Sequence, residues 1–107
     1  MIIYTEKIFP GFGGFSCWPF ICLRPEFKGD VGRLEHELVH YREQRMCLTI
    51  PWLLMYVAWP QFRKAAEVRA YKRQIEVGGC TVEQAAQSLT KYHLNITADQ
   101  AAALLRD

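Results

Sequence analysis

Two of the three histidines in this 107-residue chain stand four positions apart, in the segment His36-Glu37-Leu38-Val39-His40. Residues with this spacing lie on one face of an α-helix, one turn above each other. Two imidazoles so placed can hold one zinc ion, and the glutamate between them projects beside the place where water would be activated. The HExxH motif therefore predicts a zinc-dependent hydrolase, in the first instance a peptidase. His36 and His40 would be metal ligands and Glu37 the general base.

A catalytic zinc site needs a third protein ligand, and this ligand must come from another part of the fold. Glu43 follows on the same helix, but three groups from one straight helix are poorly placed around a tetrahedral ion. Glu67 is the best candidate, because alanines flank it and because it shares a polar helical stripe with Tyr71. His93 and Cys80 remain open as alternatives. Glu67 could instead be a solvated carboxylate.

Peptide-bond hydrolysis also needs a group that stabilises the developing oxyanion beside the metal. Tyr71 is the first candidate for this second catalytic role, followed by His93, Tyr41 and Arg69. The competing interpretation of Tyr71 is a hydrogen bond to a metal ligand, or simple packing. Tyr41 falls on the expected packing stripe of its helix and is more simply explained as a core residue.

The elements that must position these residues begin with strands. β-Branched and aromatic residues predict a strand over Ile2–Phe9, and a short apolar run predicts another over Phe20–Leu23, with a glycine-rich turn at 10–14 between them. Asp30 is a good N-cap for a helix that starts near Val31 and ends before Pro51. Its core stripe is expected at Val31, Leu34, Leu38, Tyr41 and Leu48.

Helices are predicted for the rest of the chain. A short apolar helix should run from Pro51 to before Pro60, and a long one from about Gln61 to Val77. Two capping boxes, at 81–84 and 97–100, should open two more. The expected fold is a single α+β domain over residues 1–107, with a small N-terminal antiparallel sheet followed by a mostly helical part.

Composition narrows the function classes. Half of the residues are hydrophobic, and the net charge is only +2 with no basic run, so nucleic-acid binding is not expected. No signal peptide and no transmembrane segment are visible, so we expect a cytoplasmic protein with reduced cysteines. The apolar segment Met46–Pro60 is expected to be a core helix. Alternatively Trp52, Tyr56 and Trp59 form a surface that contacts a membrane or a partner protein.

The segments LEHELVHYREQ and AAEVRAYKRQ together resemble the zincin peptidases, in particular the gluzincins, in which a downstream glutamate helix follows the HExxH motif. The chain is also similar to small single-domain HExxH proteins of phages, prophages and bacteria. The resemblance covers roughly residues 20–77. It includes an Arg-Pro pair at Arg24, a glutamine at Gln44 and a Glu-x-x-Ala-Tyr segment at 67–71.

The resemblance implies a minimal zincin-like core with Zn²⁺ held by His36, His40 and Glu67, and with Glu37 as base. The substrate would be a protein, a peptide or a peptidoglycan cross-link. Many gluzincins carry an acidic residue where this chain has Tyr71, so the groups that orient the ligands must differ here. The rival is a non-catalytic structural or interaction module, such as a phage virion component, with a structural or vestigial metal site. The oligomeric state is not predicted.

Overall fold

A computed structural model of the protein describes residues 1–107, apart from the side chain of Cys47. The predicted α+β class is confirmed, since a small sheet is followed by helices. The strands are β1 (Ile2–Tyr4), β2 (Gly14–Cys17) and β3 (Phe20–Leu23). The helices are α1 (Val31–Cys47), α2 (Thr49–Ala58), α3 (Pro60–Glu76), α4 (Val82–Leu89) and α5 (Ala98–Arg106).

The sheet is mixed rather than wholly antiparallel. Its order is β1-β3-β2. The two predicted strands, β1 and β3, pair in parallel, and β3 pairs antiparallel with β2, a strand that the sequence did not predict. β1 ends at Tyr4, well before Phe9, because the chain then forms a loop around the side chain of Arg24. The guanidinium of Arg24 donates hydrogen bonds to the carbonyl oxygens of Phe12 at 2.8 Å and Ile8 at 2.7 Å. Backbone groups bound in this way are not available to extend a strand ladder.

Three predicted helix starts are confirmed by their caps, whereas α2 begins at Thr49, two residues before the predicted start at Pro51. The carboxylate of Asp30 accepts a hydrogen bond from the backbone N–H of Arg33 at 3.0 Å. Both capping boxes are complete, with Thr81 and Thr97 each exchanging hydrogen bonds with the glutamine three positions later. The two C-terminal helices close over α3 and form an apolar core with it, made of Tyr71, Ala85, Ala86, Leu89, Leu94, Ala101, Ala102 and Leu105.

The buried face of α1 is polar, which corrects the predicted core stripe. Val31 and Leu48 are 62% and 69% exposed, and Leu48 lies beyond the end of α1 with a φ of 66°. The fully buried positions of this helix are instead Gly32, His36, Glu37, His40 and Gln44. A helix normally buries its apolar side, so a buried polar face indicates a functional site.

The apolar helix α2 contributes one aromatic face to the interior and leaves the other exposed. Trp52 is only 3% exposed, so it is not part of the surface that the sequence suggested. Ile50, Leu54 and Val57 form an exposed apolar face of this helix, and Trp59, which follows the helix, is 55% exposed. No described helix combines the length and apolar character needed to cross a membrane.

Candidate metal centre

A close approach of two backbones brings α1 against α3. A side chain on Gly32 of α1 would collide with the Cα of Gly79, which follows α3, and a side chain on Gly79 would collide with Gly32. Only glycine allows two chains to pass at this distance. The contact fixes the spacing between the start of α1 and the end of α3, near Gln74. Gly32 lies one helical turn before His36. The motif therefore faces the polar stripe of α3.

Three side chains from these two helices converge on one point. His36 Nε2 lies 3.2 Å from Glu67 Oε1, and His40 Nε2 lies 3.1 Å from Glu67 Oε2. The ligand atoms of the three residues all lie within 4.8 Å of one another, and each residue is at most 5% exposed. Ligand atoms of a tetrahedral zinc are separated by about 3.4 Å, given bonds of roughly 2.0–2.1 Å. The spacing of this cluster therefore suits a small divalent cation.

The hydrogen bonding of the two histidines fits a metal site. His36 Nδ1 lies 3.0 Å from the side-chain oxygen of Gln74. An amide oxygen only accepts, so Nδ1 carries a proton, and Nε2 is the nitrogen that would present its lone pair to a bound metal. Both ring nitrogens of His40 are buried and lack a hydrogen bond of good geometry among the described residues, although Glu67 lies close to Nε2. A metal ion at the point of convergence would satisfy Nε2.

Glu43, which the sequence argued against as a ligand, lies behind His40 instead. Its Oε1 is 3.9 Å from His40 Nδ1, beyond hydrogen-bonding distance but close enough for attraction to the ring. The other oxygen of Glu43 accepts a hydrogen bond from the guanidinium of Arg69. Arg69, a candidate oxyanion stabiliser, is thus engaged with Glu43 on the outer side of the cluster.

The three buried groups form a strongly coupled ionic cluster. Burial lowers the pKa of His40, but the charge of Glu67 and contacts with Glu43 and Glu67 outweigh it, and the pKa rises to about 10. Burial raises the pKa of Glu67, but attraction to His40 and His36 outweighs it and lowers the pKa well below its usual range. Without a metal, His40 therefore carries a proton that a cation must displace.

Glu37 is held beside the cluster by strand β2 of the sheet. The hydroxyl of Ser16 donates to the backbone oxygen of Glu37 at 2.7 Å and lies 3.1 Å from its Oε1. Oε2 of Glu37 faces Gly14, where a Cβ would come within 3.4 Å of it. One carboxylate oxygen is thus anchored, and the other is directed toward the strand. Glu37 also lines the same cavity as His36, His40 and Glu67.

Strand β2 is fixed against α1 by Gln44, one turn beyond His40. The side chain of Gln44 donates to the carbonyl of Ser16 at 2.8 Å and accepts from the N–H of Trp18 at 2.7 Å. The backbone of Gly13 is bonded to β3 through Arg24. Because bonded pairs alternate along antiparallel strands, Gly14 and Ser16 direct their backbone groups away from β3. The carbonyl of Ser16 is already bonded to Gln44, so this edge of β2 offers at most the backbone groups of Gly14 and the N–H of Ser16.

A cavity of about 610 Å³ opens over the cluster. His36, Glu37, His40 and Glu67 lie on its floor, and β2 and α2 form its sides. Most of its other lining side chains are aromatic or aliphatic, including Ile8, Phe9, Phe12, Phe15, Trp52, Leu53 and Val57. A polar centre in a largely apolar cleft of this size is typical of a small-molecule or peptide site.

The structure places Tyr71 behind the cluster rather than in this cavity. Its ring packs edge-on against His36, with ring centroids 4.3 Å apart, and its hydroxyl lies 3.1 Å from that of Tyr92. Burial and the charge of Glu67 raise the pKa of Tyr71 to about 12. The oxyanion role of Tyr71 stays a prediction, and its contacts favour the alternative of packing against a ligand.

Tyr56 is the site residue that the sequence argument missed. Its hydroxyl donates to Glu67 Oε2 at 2.6 Å, and its ring stacks on Trp52 with centroids 5.1 Å apart. Burial and the charge of Glu67 raise its pKa, so the hydroxyl stays protonated and keeps donating. Its position four residues after Trp52 was a possible signal, because both then share one helical face.

The alternative third ligands lie outside the cluster. His93 is exposed in a left-handed turn on the rim of the cavity, where its backbone oxygen accepts from Arg63 at 3.1 Å. Cys80 is a half-buried free thiol that packs against the C-terminal core. Tyr41 is half-buried on α1. Glu67 is thus the residue that the fold brings to both histidines.

Comparisons of the chain with family models, with curated proteins and with solved structures found no match.

Proposed function

We propose that the protein is a zinc-dependent hydrolase, and specifically a metallopeptidase that acts on a protein, a peptide or a peptidoglycan cross-link. The observation that carries this proposal is the convergence of His36, His40 and Glu67 below an open cleft, with Glu37 beside them. Two histidines and one glutamate are a ligand set found in catalytic zinc sites that keep a coordination position open. Cytoplasmic location is part of the same proposal.

The residues would divide the work as follows. His36, His40 and Glu67 hold the ion, which when bound supplies Lewis acidity and makes water a better nucleophile at neutral pH. Glu37 accepts a proton at its free Oε2 and returns it to the leaving amine. Ser16 holds the other oxygen of Glu37 in place. Tyr56 donates to Glu67 and lines the cleft, where its hydroxyl could turn toward a developing oxyanion.

The outer edge of β2 supports a peptide as the substrate. The backbone groups of Gly14 and the N–H of Ser16 point away from β3, and both residues line the cleft. An extended chain can add to such an edge through main-chain hydrogen bonds, which do not depend on sequence. A peptide bound there would pass Glu37, because Ser16 bonds directly to that residue.

The substitution Glu37→Gln tests this function. It keeps the size and the hydrogen bond to Ser16 but removes the proton acceptor, so zinc content and unfolding midpoint should stay near those of the wild type. Hydrolysis of a peptide library by the zinc-loaded protein should fall by about two to four orders of magnitude. Glu35→Gln is the matched control, because it makes the same change on the same helix and should retain activity. Equal activity of E37Q and wild type would refute the assignment.

The second candidate is a non-catalytic interaction module, and the exposed outer face of α2 favours it. Ile50, Leu54 and Val57 are each at least 65% exposed on one face of this uncharged helix. Such a face commonly contacts another surface. Two results together would support this candidate. The zinc-loaded protein would cleave no peptide but would associate with itself or with vesicles, and Leu54→Glu would abolish that association.

A further inference from the structure

A second, smaller pocket lies behind the metal centre and has a basic lining. It encloses about 60 Å³ and is lined by Gly13, Arg33, Tyr71, Ser88, Lys91 and Tyr92, among others. By this measure a single water needs roughly 10–15 Å³, so the space suits a group of several heavy atoms. Both charged side chains of the lining are cationic, and three others carry hydroxyls. We name it the Arg33 pocket.

The guanidinium of Arg33 is held at this pocket without a protein partner for its buried donor. Its Nε is buried and has no hydrogen-bond partner among the described residues. The group lies over the ring of Phe27, with Cζ 4.7 Å from the ring centroid, and a Cβ on Gly13 would come within 3.1 Å of Cζ. A buried charged donor without a partner is costly, so such an atom indicates a ligand or an ordered water.

The remaining donors surround the same space. The hydroxyls of Tyr71 and Tyr92 lie 3.1 Å apart, and Ser88 brings a third hydroxyl to the same lining. Lys91 is exposed at the pocket rim and can bring its ammonium to an entering group. Cations and hydroxyls that line one small pocket match an oxyanion.

We propose that the Arg33 pocket binds a small oxyanion, namely a carboxylate or a phosphate. The pocket adjoins the metal cleft, because Phe12, Lys91 and Tyr92 line both. Tyr71 separates the pocket from His36, against which its ring packs. A carboxylate in the pocket could therefore belong to the end of a peptide whose scissile bond lies at the metal. This second statement rests on the proposed function, whereas oxyanion binding itself does not.

The first test is an NMR titration of the full-length protein, both as purified and after chelator treatment, with inorganic phosphate and separately with acetate. We expect saturable shifts at the amides of Gly13 and Lys91. Arg33→Gln and Lys91→Gln should each weaken binding by about tenfold or more, whereas the exposed control Lys7→Gln should not. If Arg33→Gln does not fold, Lys91→Gln still decides, because its side chain is exposed. Shifts that do not saturate, or that survive both substitutions, would overturn the proposal.

The second test separates the two sources of the anion. Peptides that differ only in a free or an amidated C-terminus are titrated into the same protein. Binding that favours the free carboxylate, and that phosphate displaces, assigns the pocket to the end of a peptide. Binding of phosphate without any preference between the peptides assigns it to a free phosphate ion. Neither arm needs hydrolysis, so a lack of peptidase activity would refute the proposed function without refuting this site.

Discussion

Zinc binding to this protein should be strongly linked to the release of a proton from His40. In the absence of metal, the carboxylates of Glu67 and Glu43 raise the pKa of His40 to about 10. A protonated imidazole cannot act as a ligand, so the ion and the proton compete for the same nitrogen. His36 donates its Nδ1–H to the side-chain oxygen of Gln74, so that Nε2 is the nitrogen that can bind the metal. Because of His40, we expect at least one proton to leave per zinc bound at pH 7.

The size of this linkage follows from the pKa of His40. At pH 7 the solution is about three units below that pKa, so about one molecule in a thousand has a neutral His40. The apparent affinity for zinc should then be about a thousandfold below its limiting value, which equals about 4 kcal/mol. Between about pH 6 and pH 9 the logarithm of the association constant should rise by about one per pH unit.

Competition with a chromophoric chelator at several pH values measures this slope, and calorimetry in two buffers of different ionisation enthalpy counts the protons. Glu43→Gln provides the internal comparison, because loss of that charge should lower the pKa of His40 and reduce the slope near pH 9. A zinc affinity that does not change with pH, with no proton released, would refute the coupling of His40 to Glu67.

Three further predictions follow from the same contacts. Gly32→Ala should lower the free energy of unfolding by about 1–3 kcal/mol in urea titrations, because the new methyl group meets the backbone of Gly79. A gain of stability from better helix propensity would contradict the close packing. Tyr56→Phe removes a hydrogen bond to Glu67 and should weaken zinc binding by about tenfold to a hundredfold in chelator competition. An unchanged zinc affinity would argue against that hydrogen bond. In metal-free protein, the raised pKa of His40 means that its protonated ring stabilises the fold. This stabilisation is fully present below about pH 6.5 and is lost as the pH rises toward about 10. The lowered pKa of Glu67 means that its carboxylate stabilises the fold above about pH 4.5, and this stabilisation is lost in acid. The thermal unfolding midpoint should therefore be highest between pH 4.5 and 6.5 and should fall on both sides of this range. A midpoint that rises steadily to about pH 9 would contradict the cluster.

Local signals in the sequence were sufficient to locate the helices. Caps act through hydrogen bonds between residues three positions apart, so Asp30 and the boxes at Thr81 and Thr97 mark starts that do not depend on the rest of the fold. Glu67 was singled out for a similar reason, since a carboxylate flanked by alanines suggests a closely packed helix face. The structure brings it to both histidines of the motif.

Features that depend on tertiary contacts were not predictable in this way. The stripe from Val31 to Leu48 suggested an apolar packing face for α1, but the buried positions are polar because this helix faces the site. β2 was missed because its glycine-rich start resembles a loop, and Gln44 fixes it from a distance in sequence. The role of Tyr56 depends on how α2 folds back over α3, which periodicity within α2 alone does not determine.

The most direct test of the central claim is the zinc content of the purified protein after dialysis against a weak chelator. The wild type should retain about one equivalent of zinc per chain. Alanine at His36, His40 or Glu67 should remove it, whereas alanine at His93, which lies outside the cluster, should not. A wild type without zinc, or zinc retained when Glu67 is replaced but lost when His93 is, would contradict the assignment of this centre.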